Sequence, residues 1–187
     1  MRIIPAILLA AALVVAGGPV QAASKAEQQQ EVQKMAKETL ARLYKAQPSA
    51  RKAVESAAGY AVFSNFGMNV LVLGSGKGEG VLIDNATKKP TYMKMAELQT
   101  GLGFGVKKFR LVWVFERKSD MDKFMNSGWE VGAQSTLSAQ AKGKGAEMFA
   151  GAMSVTPGVW VYQLADTGLA AELTAKGTKY YKDGELN

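Results

Sequence analysis

The chain has 187 residues, 48% of them hydrophobic and 21% charged, the make-up of one globular domain with a core of its own. It contains no Cys and no His, which excludes disulfides, thiolate or imidazole metal sites, and nucleophile systems built on Ser-His-Asp or Cys-His. Lys and Arg outnumber Asp and Glu by 23 to 16, a balance that favours anionic partners.

Met1-Arg2 is a short positive start, Ile3 to Ala16 an apolar run broken only by Pro5, and Val20-Gln21-Ala22 a small-residue end. This is the order of a secretory signal peptide, with cleavage expected after Ala22 and a single mature domain over 23–187. The apolar run is shorter than the roughly 20 residues a membrane span needs. No Cys stands at the junction, so the sequence predicts a periplasmic or secreted protein that is not a lipoprotein.

Ser24 and Glu27 have the spacing of a capping box, which predicts a helix from about Lys25 to Gln47 with Val32, Met35, Ala36, Thr39, Leu40 and Leu43 on one face. Pro48 stops it, and Ser49 to Ala58 reads as a short second helix with Ala50, Ala53, Val54 and Ala57 inward. The period then changes to strands: Tyr60–Phe63, Val70–Leu73, Gly80–Asp84 and Thr91–Lys94. Arg110–Phe115 is apolar on both faces and so central. Ser119 opens a short helix that Gly128 ends, and Trp129–Gln134 resumes the strands. Gln140–Gly151 is a loop with at most a helical turn, and Gly158–Gln163, Leu169–Leu173 and Thr178–Tyr181 finish as a meander. Consecutive strands, short turns and no crossover helices predict an α+β fold: N-terminal helices packed on a curled, largely antiparallel, barrel-like sheet.

Glycines recur at every second residue at 74, 76, 78 and 80, and again at 101, 103 and 105. In a strand that puts each set on one face. Two readings follow: a tight bend of the sheet around a packed helix, or a ligand groove over the glycine face. Neither set has the spacing of a phosphate loop or a dinucleotide fingerprint.

Several blocks stand in a recognisable order: Gly59-Tyr-Ala-Val-Phe63 after a helix, glycine-rich strands at 74–81 and 98–105, Leu111-Val-Trp-Val-Phe115 leading into Met121-Asp-Lys-Phe124, Val131-Gly-Ala before a small-residue stretch, and Val161-Tyr through Gly168-Leu-Ala-Ala-Glu-Leu173. In this order, over roughly Met35 to Asn187, the chain resembles the SYLF family, the lipid-binding domain of yeast actin-patch proteins and plant FYVE-domain proteins, which also occurs alone in exported bacterial proteins. The resemblance implies binding of anionic phospholipids through a basic amphipathic N-terminal segment. Gln134 and Ser135 stand where the family usually carries an Asp, so a role for that acidic residue does not carry over.

Between residues 34 and 52, Lys34, Lys37, Arg42, Lys45, Arg51 and Lys52 face Glu38 alone, away from the apolar stripe. This segment is the expected lipid contact, set against the plainer reading of a solvated helix face. If the stripe packs on the sheet, binding is purely electrostatic and salt-sensitive; if the helix inserts, binding survives moderate salt. Lys107, Lys108 and Arg110 form a second cluster that either extends the basic surface or blunts an exposed edge. Trp113, Trp129, Trp160, Tyr92 and Tyr162 read as core, with Tyr180 and Tyr181 the expected exceptions. Glu116, Asp120 and Asp122 bracket a helix start and Glu79 and Asp84 a turn-bounded strand, with no pair flanking a cleft, so no catalytic residue, metal or cofactor is expected. The exported location and the lack of aromatics among the basic residues argue against nucleic acid. The sequence therefore points to a non-enzymatic module on anionic phospholipid surfaces, with an envelope protein-interaction or scaffold module meeting an acidic protein, or a carrier of an apolar ligand, as alternatives.

Overall fold

The computed structural model describes residues 24–70, 73–100, 105–127, 129–131, 147–166, 168–169 and 178–187. The leader expected at 1–22 lies outside them, as do positions 101 and 103 of the second glycine set, Gln134 and Ser135, most of the 140–151 loop and most of 169–173.

Helix α1, Lys25–Ala46, begins on the expected capping box: the Ser24 amide donates to the Glu27 carboxylate at 2.6 Å, and the Glu27 amide donates to Ser24 Oγ at 3.3 Å. Pro48 follows its C-cap Gln47. Helix α2, Ser49–Ser56, is closed from outside: Asn85 Nδ2 donates to the carbonyls of Val54 and Ala57 at 2.7 and 2.9 Å, satisfying acceptors that the helix end leaves open.

The strands are β1 Gly59–Val70, β2 Leu73–Asp84, β3 Pro90–Thr100, β4 Gly105–Phe115, β5 Trp129–Val131, β6 Met153–Thr156, β7 Val159–Ala165, β8 Gly168–Leu169 and β9 Thr178–Lys182, with helix α3, Lys118–Ser127, between β4 and β5. They form one nine-stranded sheet in the order β5-β9-β3-β2-β1-β4-β7-β6, with β8 also paired to β7, and every ladder is antiparallel. The chain is thus an α+β domain whose helices pack on a curled half-barrel sheet, as the sequence predicts. Two features differ from the sequence reading. The runs 60–63 and 80–84 and the glycine-rich strand 74–81 belong to one long hairpin whose register runs from Gly59↔Asp84 to Val70↔Leu73, so β1 extends well past Phe63. The backbone ladder continues there because its hydrogen bonds do not depend on apolar side chains. The last strand also leaves the meander: β9 pairs with β3 and β5 rather than with β8.

Alternation along the central strands makes two buried faces. Toward α1 and α2, the cross-strand neighbours Tyr92, Val81, Val62, Val112 and Tyr162 form one buried row. Val32, Ala36 and Leu43 of α1 and Ala50, Ala53 and Val54 of α2 pack in the same cluster. On the other face Phe63, Leu82, Met93, Met95, Leu111, Trp113, Phe115 and Tyr180 enclose Met121 and Phe124 of α3. Phe124 lies 5.0 to 5.3 Å, centre to centre, from the rings of Phe115, Tyr180 and Trp113. Tyr180 is therefore core, contrary to the sequence expectation, because β9 turns it into this cluster; its neighbour Tyr181 is 40% exposed.

The glycines of β2 explain this inner face. A Cβ on Gly80 would fall on the Phe63 ring, and one on Gly78 would stand 2.6 Å from Met95 Cγ and 2.5 Å from the Ser64 carbonyl. The group that approaches them is thus a side chain of the adjacent strands, not α1, which lies across the opposite face. At the buried Gly80 the space a ligand would need is already filled, whereas Gly78 is half-buried and lines an open cavity of about 450 Å³ beside Met95.

Residues 183–187 close the β3 side. The Asn187 side chain accepts from the Tyr92 amide at 2.9 Å and donates to the Tyr92 carbonyl at 2.8 Å, doing the work of a strand residue. The Leu186 and Asn187 carbonyls in turn accept from Gln29 Nε2 and Lys25 Nζ, both at 2.7 Å, which ties this segment to the first turns of α1.

Three outcomes test this account. Gly80→Ala lowers unfolding free energy by about 1–3 kcal/mol in urea titrations, as overpacking does, whereas Gly184→Ala, with open space at its Cβ, stays within about 0.5 kcal/mol. Leu43→Ala, at a fully buried position, costs about 2–5 kcal/mol in the same assay. The amide of Thr87 above all, with that of Ala86 and with Lys118 at 3.6 Å, holds the Asp84 carboxyl below its usual range against the partial burial that opposes them. Because its folded value is the lower one, its stabilisation is complete above the ordinary Asp value near about 4 and is lost as pH falls through the folded value. The stability gap between the wild type and Asp84→Asn therefore narrows in unfolding curves taken below about pH 4.

Candidate functional site

The orientation of α1 follows from its stripe. Val32, Ala36, Thr39 and Leu43 are buried against the sheet, and Met35 and Leu40 are half-buried beside them. At about 100° per residue the opposite side of the helix carries Lys34, Lys37 and Lys45, and all three are exposed. Arg42 is exposed on the flank, and Arg51 and Lys52 are exposed on α2. All six cations singled out in the sequence are thus exposed, with Lys34, Lys37 and Lys45 on the outer side of α1, and the apolar stripe of that helix is built into the core.

Two of the six are engaged. Arg42 Nη2 donates to the Ala165 carbonyl at 3.2 Å. Arg51 pairs with Glu55 at 3.5 Å and places its guanidinium 4.5 Å from the centre of the Tyr44 ring. Burial pushes the Tyr44 hydroxyl up to about 12, helped by Tyr60 and Glu55 and opposed by Arg51, so this ring stays neutral beneath the cation. Among the described residues Lys34, Lys37, Lys45 and Lys52 have no ion-pair partner.

The turn between β2 and β3 adds two cations that sequence reasoning passed over. Lys88 and Lys89 are exposed, and Lys88 holds a left-handed backbone at φ 58°. Lys88 and Lys37 line the same groove, about 330 Å³, whose walls include Leu40, Ile83 and Pro90. The available signal was the Lys-Lys pair immediately before Pro90; only the fold shows that the turn comes up beside α1.

The second cluster divides. Lys107 and Lys108 sit in β4, opposite Gly67 and Phe66, and their side chains lie outside the described set. Arg110 lies beneath α1, 26% exposed. Its Nη1 donates to Thr39 Oγ1 at 3.1 Å, and its Nη2 is 3.9 Å from Glu38.

The acidic side chains have local work. Asp120 and Asp122 pair with Arg117 and Lys118, and Glu116 accepts from the Trp160 indole. Asp183, buried, pairs with Lys94 at 3.2 Å and raises the ammonium's pKa together with Glu185, whose hydrogen bond is the larger cause. Among the described residues no group of three or more acidic side chains could hold a metal ion, and no helix is long and apolar enough to cross a membrane.

No family model matches the chain. It is similar to a protein named Beta cell expansion factor A from Aeromonas veronii, with 36% identity over 152 residues that make up 81% of this chain and 56% of that protein. The chain thus spans about half the length of the curated relative it matches.

Proposed function

We propose that this chain is an exported, non-enzymatic module of the SYLF type that docks peripherally on anionic phospholipid surfaces, with the outer basic face of α1 and α2 as its contact. The observation that carries this reading is the separation of roles on α1: one face is core, and the other presents lysines with no ion partner among the described residues. Such a helix attracts a surface by charge and cannot insert without giving up its packing on the sheet. Each Lys close to an anionic membrane contributes about 1 kcal/mol, so three of them supply about a hundredfold in partition. Lys88 and Lys89 extend the same face, and the engagement of Asp84, Asp183, Glu116 and Asp120 in structural bonds favours a binding role over acid–base chemistry. The signal-peptide pattern at 1–22 supports export, and the block order quoted above supports the family reading.

Vesicle co-sedimentation of residues 23–187 tests it. Binding is expected to rise with the fraction of anionic lipid and to fall steeply between low salt and about 0.5 M, where the screening length drops well below 10 Å. Combined Lys34→Gln, Lys37→Gln and Lys45→Gln substitution weakens binding by about a hundredfold with the unfolding midpoint unchanged. Equal, negligible pull-down by anionic and neutral vesicles overturns the proposal and turns attention to an acidic protein partner on the same face.

A further inference from the structure

The row of the sheet next to the buried valines is polar from β3 to β4. Cross-strand pairing aligns Lys94, Glu79, Ser64, Arg110 and Leu164 in sequence across β3, β2, β1, β4 and β7, on the face that α1 covers. Where α1 passes the β4 end of this row, an open cavity of about 290 Å³ remains. Ser64, Arg110 and Leu164 line it from the sheet, Arg42 from α1, and Ala165 and Asp166 from the end of β7.

We infer that this cavity is a phosphate-binding socket in which Arg42 and Arg110 clamp one phosphomonoester. The inference deepens the membrane reading and rests on it for a lipid source of the phosphate. Two arginines far apart in sequence, one on a helix and one on a strand, line one small cavity, an arrangement suited to a dianion with oxygens on several sides. Each is held in place by a neutral acceptor and keeps donors to spare. A guanidinium has five N–H groups. Arg42 spends one on the Ala165 carbonyl, and Arg110 spends one on the Thr39 hydroxyl, with Glu38 at 3.9 Å as a weak counter-charge. Thr39 is itself oriented, since its hydroxyl donates to the Met35 carbonyl at 2.7 Å and so presents a lone pair to Arg110. The Ser64 hydroxyl has no partner among the described residues and stands directly across from Arg110 in the register, a further donor for a phosphate oxygen. Asp166, exposed at the rim, is the one carboxylate among the described residues that line the cavity, and it opposes an anion there.

The shared chemistry is a phosphomonoester, free or as the headgroup of phosphatidic acid. Residues 23–187 are titrated by calorimetry with glycerol phosphate and, separately, with vesicles containing phosphatidic acid or an equal charge of phosphatidylglycerol. The expected result is saturable binding of glycerol phosphate that Arg42→Gln and Arg110→Gln each weaken at least tenfold, that Asp166→Asn strengthens, and that Lys37→Gln leaves unchanged. Arg42→Gln is the deciding variant, because Arg110 also bonds to α1. Vesicles of phosphatidic acid are expected to bind at least tenfold more tightly than charge-matched phosphatidylglycerol, with the preference lost in Arg42→Gln. No binding of glycerol phosphate together with no preference for phosphatidic acid overturns the socket, even if the vesicles still bind through the lysine face. Lys37→Gln weakening glycerol phosphate as much as Arg42→Gln overturns it as well. Binding of glycerol phosphate through Arg42 without vesicle binding upholds the socket for a soluble phosphomonoester and removes the membrane reading instead.

Discussion

The contact between the stripe of α1 and the valine row of the sheet fixes most of what this molecule can do. Val62, Val81 and Val112 offer a continuous apolar strip, and Val32, Ala36 and Leu43 lie in the same cluster. Burying a side chain of this size contributes about 1.5–3 kcal/mol, so rolling the helix by one residue, which would turn charged positions inward, is far too costly. The direction in which Lys34, Lys37 and Lys45 point is therefore a by-product of core packing. The basic face is thus set by packing already present in the folded domain.

The two faces of the sheet divide the labour. The inner face is an aromatic and methionine cluster that accepts α3 and uses the glycines of β2 to admit Phe63 and Met95 at close range. The outer face is apolar for the rows that α1 and α2 seal and polar one row further on, where Arg110 meets Thr39. A half-buried arginine in that place is kept hydrated on one side and bonded on the other, and it links the sheet to the same helix whose outer face carries the lysines.

Much of this was legible in the sequence because it is local. The capping box at Ser24 and Glu27, the stripe of α1, the short α2 and the central, doubly buried β4 all rest on periodicity or on neighbours a few residues away. The full length of β1 was not legible, since Ser64 and Asn65 carry no strand signal and enter the ladder only because their partners in β2 are already in it. The burial of Tyr180 escaped for a similar reason: it depends on β9 travelling to β3, a pairing more than 80 residues apart in sequence. The site shows the same division. The exposed cations of α1 and α2 could be named from spacing alone, whereas the meeting of Arg42 with Arg110, and of Lys37 with Lys88, is a product of tertiary structure.

The tie between residues 183–187 and the start of α1 has a kinetic side. Lys25 and Asn187 are 162 residues apart and Gln29 and Leu186 are 157 apart, so a helix whose cap is local is fastened by pairings that span most of the chain. Loop-closure entropy must be met in full before those bonds return anything, and contacts of such high sequence separation slow the final step of folding. These bonds reward a chain whose sheet is already in place, so they close the fold rather than start it.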